Sequence, residues 1–258
     1  RRRTHFLCRS EWLIALLPAW IGCHVREQPP MWPWRSPNLL HGLNESLDAR
    51  LTWSPGTIAL CRELGIDHGY FVGTSIPYVW TLDLVATLAW LPIEQSKAAV
   101  VSVKPLAHET YAGDTDPIAR GPEKLEVERQ YATRTGLSYF VADRSLYPGH
   151  LLGQLELYSS AANLPPGHPA QIAQSRLLDS KGDFLAQEPP TAWRDRLMKD
   201  WGLSQPDADL AVSNIIWNQL IDVDLTQEIQ MEDPIRPGGR GLQKALRKWI
   251  ERGTQCQR

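Results

Sequence analysis

Three apolar runs and one helix-like segment restrict the fold more than any other feature of this chain. The runs are Tyr78–Leu88, Ala98–Val103 and Leu137–Ala142, and the segment Glu123–Thr133 between the last two has helical character. Short apolar runs rich in valine, threonine and aromatic residues form strands. Strands alternating with a helix predict a mixed sheet with helical cover, an α/β fold. Pro122 stands where a first helical turn tolerates it, and Gly136 where a helix closes. Between Lys104 and the helix, Ala107–Pro122 reads as a loop.

Upstream, residues 4–20 read as a largely apolar helix that carries Glu11. Arg26–Ser54 is rich in Pro, Trp and Asn and reads as irregular connection, and Thr57–Leu64 as a short helix closed by Gly65. Downstream, Pro and Gly cluster at Asn163–Pro169, which predicts a boundary between a domain at 1–162 and another at 164–258. In the second, Trp193–Trp201 and Asp207–Gln219 read as helices, and the alternation in Ile221–Leu225 as a strand. Two helices followed by a short strand pair is the order of a winged helix, a helix-turn-helix variant.

Charge is close to balanced, with 27 basic against 29 acidic residues, so composition gives no support for nucleic-acid binding. Positive charge is local: from Arg236 onward only Glu251 opposes a series of Arg and Lys. Lys244–Arg252 reads as an amphipathic helix, with Lys244, Arg247 and Lys248 as candidate DNA contacts; a solvated face is the plainer alternative. The 11 tryptophans are expected mainly in the core. Cysteines without CxxC pairing, and histidines without zinc spacing, fit a reduced, cytoplasmic protein with no zinc site. Arg1–Arg3 and the apolar run Trp12–Gly22 mimic a secretory leader, but Glu11 and Pro18 speak against one. No stretch approaches the length of a membrane span. Gly238–Gly241 lacks the lysine of a phosphate loop, and no GxSxG motif points to a serine nucleophile.

Asp83 lies within the first apolar run and Lys104 at the end of the second. A charge embedded in an apolar strand is costly unless it is paired or holds a metal. These two residues alone allow a buried salt bridge as readily as a catalytic pair. Phosphodiester hydrolysis uses carboxylates that bind Mg²⁺, and a lysine that orients the attacking water. Its economical layout is one carboxylate on a helix, another on a strand, and an acceptor two residues before a lysine on the next strand, which puts both side chains on one sheet face.

Ser102-Val103-Lys104-Pro105, then a loop, then Glu123-Lys124-Leu125-Glu126-Val127-Glu128-Arg129-Gln130-Tyr131, resembles the TnsA endonuclease subunit of heteromeric cut-and-paste transposons. Tyr139–Asp143 matches that family's aromatic strand ending in Asp. His5, Leu7, Glu11, Trp20 and Arg26-Glu27-Gln28 match its first helix and following turn. The resemblance spans residues 4–158. It implies a restriction-endonuclease-like fold of the PD-(D/E)xK class, with Glu11, Asp83 and Lys104 catalytic, and Mg²⁺ (or Mn²⁺ in its place) held by Glu11, Asp83, Glu128 and the backbone of Val103. Glu128 is equally readable as half of a solvated i,i+4 pair with Lys124. Ser102 departs from the family, which carries Gln or Glu there. The implied activity is cleavage of the 5′ strand at transposon ends in double-stranded DNA. The implied partners are a DDE-type transposase, TnsB, and an AAA+ regulator, TnsC. A stand-alone restriction or repair nuclease, or a catalytically silent docking module, are the alternatives.

Overall fold

A computed structural model describes residue 6, residues 8–104 and residues 117–253. The chain divides into two compact units, one of residues 1–146 with 248–258, the other of residues 147–247. The division falls at Leu146/Tyr147, before the Pro- and Gly-rich cluster expected to mark it. That cluster instead precedes a helix within the second unit, where Pro169 occupies its first turn.

The first unit runs α1 (Arg9–Trp20), β1 (Cys23–Glu27), β2 (Pro30–Met31), α2 (Glu45–Asp48), α3 (Thr57–Leu64), β3 (Trp80–Thr81), β4 (Leu84–Leu88), β5 (Ala98–Val103), α4 (Pro117–Arg134) and β6 (Ser138–Ala142). Four strands form a mixed sheet in the order β1-β4-β5-β6. The first two pairings are antiparallel and β5–β6 is parallel, with α4 in the connection between them. A separate two-stranded ladder joins β2 and β3.

The run expected as one strand, Tyr78–Leu88, is therefore split. Leu82 and Asp83 lie at the break, opposite a second break at Gln28–Pro29. Gln28 has a φ of 48° there, a left-handed conformation that is uncommon for a residue with a side chain. Two backbone bonds span the breaks: Gln28 N–H to Asp83 O at 3.1 Å and Leu82 N–H to Pro29 O at 3.1 Å. Pro29 has no amide to continue the ladder. The same feature explains β1 and β2, which the Pro-rich composition of Arg26–Ser54 hid.

On one face of the sheet Val85, Val100 and Tyr139 pack with Leu60 of α3 and Val127 and Tyr131 of α4. Their strand neighbours Leu84, Ala86, Ala99 and Val101 point to the other face and are buried as well. Helix α1, which packs against β1, β4 and β5 and contributes nothing to the first cluster, covers that side. Pro122 lies inside α4, not at its start; of the expected loop before it, residues 105–116 lie outside the described ones. The Trp-Pro loop caps α3: Thr57 and Ile58 donate to the carbonyls of Trp32 and Pro33. A Cβ on Gly56 would come within 2.5 Å of that backbone, so only glycine fits.

The second unit holds α5 (Gly149–Tyr158), α6 (Pro169–Lys181), α7 (Pro190–Trp201), α8 (Gln205–Trp217) and the greater part of α9 (Gly239–Arg252). No strand occurs among its described residues, so the wing expected at Ile221–Leu225 is absent from them. The acids of that alternation face local partners instead. Asp222 Oδ1 accepts Arg240 N–H at the start of α9, and Asp224 Oδ1 accepts the amide and hydroxyl of Thr226. Turn chemistry thus overrides the strand pattern. The tryptophans are core less often than expected: Trp20, Trp193 and Trp217 are buried, whereas Trp32, Trp34, Trp53 and Trp249 are exposed.

Candidate active site

The antiparallel β4–β5 pairing sets Leu84 opposite Val101, so the residue before β4 and the residues ending β5 share one end of the sheet. Alternation turns Asp83, Ser102 and Lys104 toward the α4 side. Asp83 Oδ2 accepts the Val103 amide at 2.8 Å and the Lys104 ammonium at 2.8 Å. The amide fixes the carboxylate's rotamer and the lysine neutralises it. Its other oxygen, Oδ1, faces the Lys124 ammonium of α4 at 3.6 Å.

Lys124 also reaches Glu128, one helical turn on, with Nζ 3.2 Å from Oε1. Glu128 is fully buried, so the solvated-pair reading does not describe it. Its Oε2 accepts hydrogen bonds from the Ser102 hydroxyl and from the Tyr139 hydroxyl, the latter at 3.3 Å. Among the described residues its Oε1 has the Lys124 ammonium as its one close partner. Burial pushes the Tyr139 hydroxyl well above the usual phenol range, and the Glu128 charge adds to this, so the group stays a donor. For Lys124, burial pulls its pKa down, but the Glu128 and Asp83 charges outweigh that and the net shift is upward. Ser102 therefore does not leave the site short of a carboxylate. It anchors one supplied from the helix.

Lys104 and Lys124 both line a cavity of about 530 Å³, with Val79, Trp80, Thr81 and Glu123 among its other walls. Trp80 is braced by stacking on buried His68, with ring centroids 5.2 Å apart and planes at 11°. His68 is held in turn, Nδ1 donating to Gly69 O at 3.1 Å and Nε2 lying 2.6 Å from Thr57 Oγ1. Nearby Cys61 is a buried thiol pushed up to about 11 by burial and then by Asp67 and Glu123, which leaves it unreactive.

Of the residues expected at the site, the structure brings together Asp83, Lys104, Glu128 and the backbone of Val103, which engages Asp83 through its amide. Glu11 is buried on α1, on the opposite side of the sheet. Among the described residues no three His, Cys, Asp or Glu side chains are grouped to hold a metal, so Glu11 does not join Asp83 and Glu128 as a third carboxylate here. Mg²⁺ needs only one or two carboxylates besides water and substrate phosphate. Asp83 Oδ1 and Glu128 Oε1, both facing the Lys124 ammonium, fit that donor set. Lys244, Arg247 and Lys248 lie on α9, where their i, i+3, i+4 spacing gives one face; both lysines are exposed and Arg247 is half-buried.

Sequence reading missed Lys124 as the bridge between the two carboxylates, and Tyr139. The i,i+4 spacing of Lys124 and Glu128 was visible, but its burial was not. The chain matches no family model, and no curated protein matches it significantly. No helix among the described residues is long and apolar enough to cross a membrane.

Proposed function

We propose that this chain is a metal-dependent DNA endonuclease of the PD-(D/E)xK class, acting as the TnsA-like subunit of a cut-and-paste transposase. The observation that carries the reading is the pairing of Asp83 with Lys104, 2.8 Å apart at one sheet end, beside a second carboxylate, Glu128, anchored by the adjacent strand. Two carboxylates and a lysine on neighbouring elements, with the lysine lining a cavity, is a layout suited to metal-dependent phosphodiester hydrolysis. The TnsA-like assignment adds the motif resemblance to this geometry.

In the proposed mechanism Asp83 and Glu128 would hold Mg²⁺. When bound, the cation supplies charge neutralisation at the scissile phosphate and a more acidic water. Val103 N–H holds the Asp83 carboxylate in one rotamer, so its free oxygen stays aimed. Lys104 keeps an ammonium at the cavity wall, where it orients the attacking water and offsets charge on the phosphate. Ser102 and Tyr139 hold Glu128 by one oxygen and leave the other open. Helix α9 is a proposed phosphate-contacting face.

The test is strand-specific cleavage of a transposon-end duplex with Mg²⁺, with and without a DDE-type transposase and an AAA+ regulator. Cleavage of the 5′ strand that needs the partners and disappears in Asp83→Ala and Lys104→Ala supports the reading. Cleavage by the chain alone makes it a stand-alone nuclease. The complete neutralisation of Asp83 and Glu128 by two lysines favours a second reading, a silent docking module. Partner-dependent complex formation without cleavage under any divalent cation selects that one.

A further inference from the structure

Glu128 carries a carboxylate oxygen, Oε1, that is fully buried and, among the described residues, has no close partner except one ammonium. A buried carboxylate oxygen is expensive unless a cation compensates it. Here the compensating cation is an ammonium. Lys124 Nζ stands 3.2 Å from that oxygen and 3.6 Å from Asp83 Oδ1, so one positive group neutralises both oxygens that were identified above as free for a metal. Lys124 is not locked in place. Its side chain is 33% exposed and lines the 530 Å³ cavity, so its flexible stem can rotate outward while the backbone of α4 stays where it is. Lys104 differs: its partner, Asp83 Oδ2, is already shared with the Val103 amide.

We propose that Lys124 is a displaceable counter-ion: its ammonium occupies the position of the divalent cation, and metal binds only when Lys124 swings into the cavity. This deepens the nuclease reading and rests on it. Two consequences follow. Metal affinity of the wild-type chain is lowered by the competition, because an ion pair must break for each cation bound. The displaced ammonium also arrives beside Lys104 at the cavity wall, where it adds positive charge for the substrate phosphate. A nuclease built so stays closed until both cation and DNA are present, since the phosphate offers Lys124 a new partner as it leaves the carboxylates.

Two measurements on the full chain test this, with Mn²⁺ as the probe. In calorimetric titration Lys124→Met, which keeps the stem and removes the charge, is expected to bind Mn²⁺ at least about ten-fold more tightly than wild type, the equivalent of about 1.4 kcal/mol. Lys124→Arg should bind no more tightly than wild type. The second measurement uses wild type alone, so it does not depend on a variant folding. Acetylation of Lys124 by an N-hydroxysuccinimide ester, followed by mass spectrometry, should speed up several-fold on adding Mn²⁺, while that of Lys97, an exposed lysine just before β5, is unchanged. Equal or weaker Mn²⁺ binding by Lys124→Met, or a Lys124 acetylation rate indifferent to Mn²⁺, overturns the counter-ion role and leaves the nuclease reading standing. No Mn²⁺ binding by wild type and Lys124→Met alike, and no cleavage by wild type, overturns both.

Discussion

The two units bury polar side chains in different ways. In the helical unit they are neutral amides with architectural partners. Asn214 Nδ2 donates to Ala161 O at 2.5 Å, Gln174 donates to Asn214 Oδ1 at 2.9 Å, and Gln219 donates to Ile216 O and accepts Val223 N–H at 3.0 Å each. These residues tie α6, α8 and the segment after α8 to specific backbone groups. The sheet unit also buries a bonded amide, Asn38, whose Nδ2 donates to Thr52 O and Thr135 O, but in addition it buries charges: Asp83 and Glu128, compensated by Lys104 and Lys124 beside a cavity. A neutral amide is buried at modest cost once it is bonded, whereas a carboxylate needs a cation as well. The difference separates polar groups that fix a fold from those whose burial asks for another explanation, and it locates the candidate site in the first unit.

That contrast can be broken by exchanging the consequences of mutation. Asp83→Asn keeps the shape and removes the charge. Under the nuclease proposal it lowers the Mg²⁺-dependent cleavage rate by roughly 10³-fold or more, with the folded far-ultraviolet circular dichroism spectrum retained. Residual cleavage near the wild-type rate would sink the site. Asn214→Ala should do the opposite. Losing its bonds and stranding Gln174 costs about 1–3 kcal/mol of stability, read as a lower urea midpoint, while the cleavage rate of the folded protein is unchanged. An Asn214 variant that folds fully yet fails to cleave would erase the distinction between the units.

Smaller effects sharpen it. Ser102→Ala removes one of two donors to Glu128 Oε2, and a reduction in cleavage of about ten-fold is expected, the scale of one hydrogen bond to a charged group. A change indistinguishable from wild type would mean that Tyr139 suffices. The Lys124 pairing has a defined pH window. Its pKa is raised above the unfolded value of 10.5, so its stabilisation is fully present below that pH and is lost as pH rises through the higher folded value. The urea midpoints of wild type and Lys124→Met, measured without metal, should differ by a constant amount from pH 7 to 9. They should approach each other only above about pH 10.5. Least of all, Lys244→Ala and Lys248→Ala should each reduce the slope of log affinity against log salt for random duplex DNA by about 1, if α9 lies on phosphates. Unchanged slopes would return that face to solvent.

Much of the sheet was legible because its residues carry their own instructions. The runs of β5 and β6 are apolar and short, and Gly136, with φ of 72°, ends the helix between them where expected. Helices α3 and α7 likewise close on Gly65 and Gly202 in left-handed geometry. Asp83 and Lys104 stood out because charge is rare in such runs. The break at Asp83 was not legible, since it arises from pairing with Pro29 and Gln28, remote in sequence. The wing at Ile221–Leu225 failed for a related reason: alternation is only a pattern, and Asp222 and Asp224 found closer partners at the start of α9 and in a turn.

By itself the sequence determined the α/β character of the first unit, the ends of several helices, and the residues that carry charge into an apolar setting. Local propensity, turn chemistry and hydrophobic periodicity act over a few residues, so they can be read without a partner strand. The tertiary structure alone decided which charges meet. It set Glu128 against Ser102, turned Lys124 inward across two carboxylates, and left Glu11 on the far side of the sheet. Those outcomes depend on strand register and on which face each helix covers, and both follow from contacts between segments that the chain order does not make neighbours.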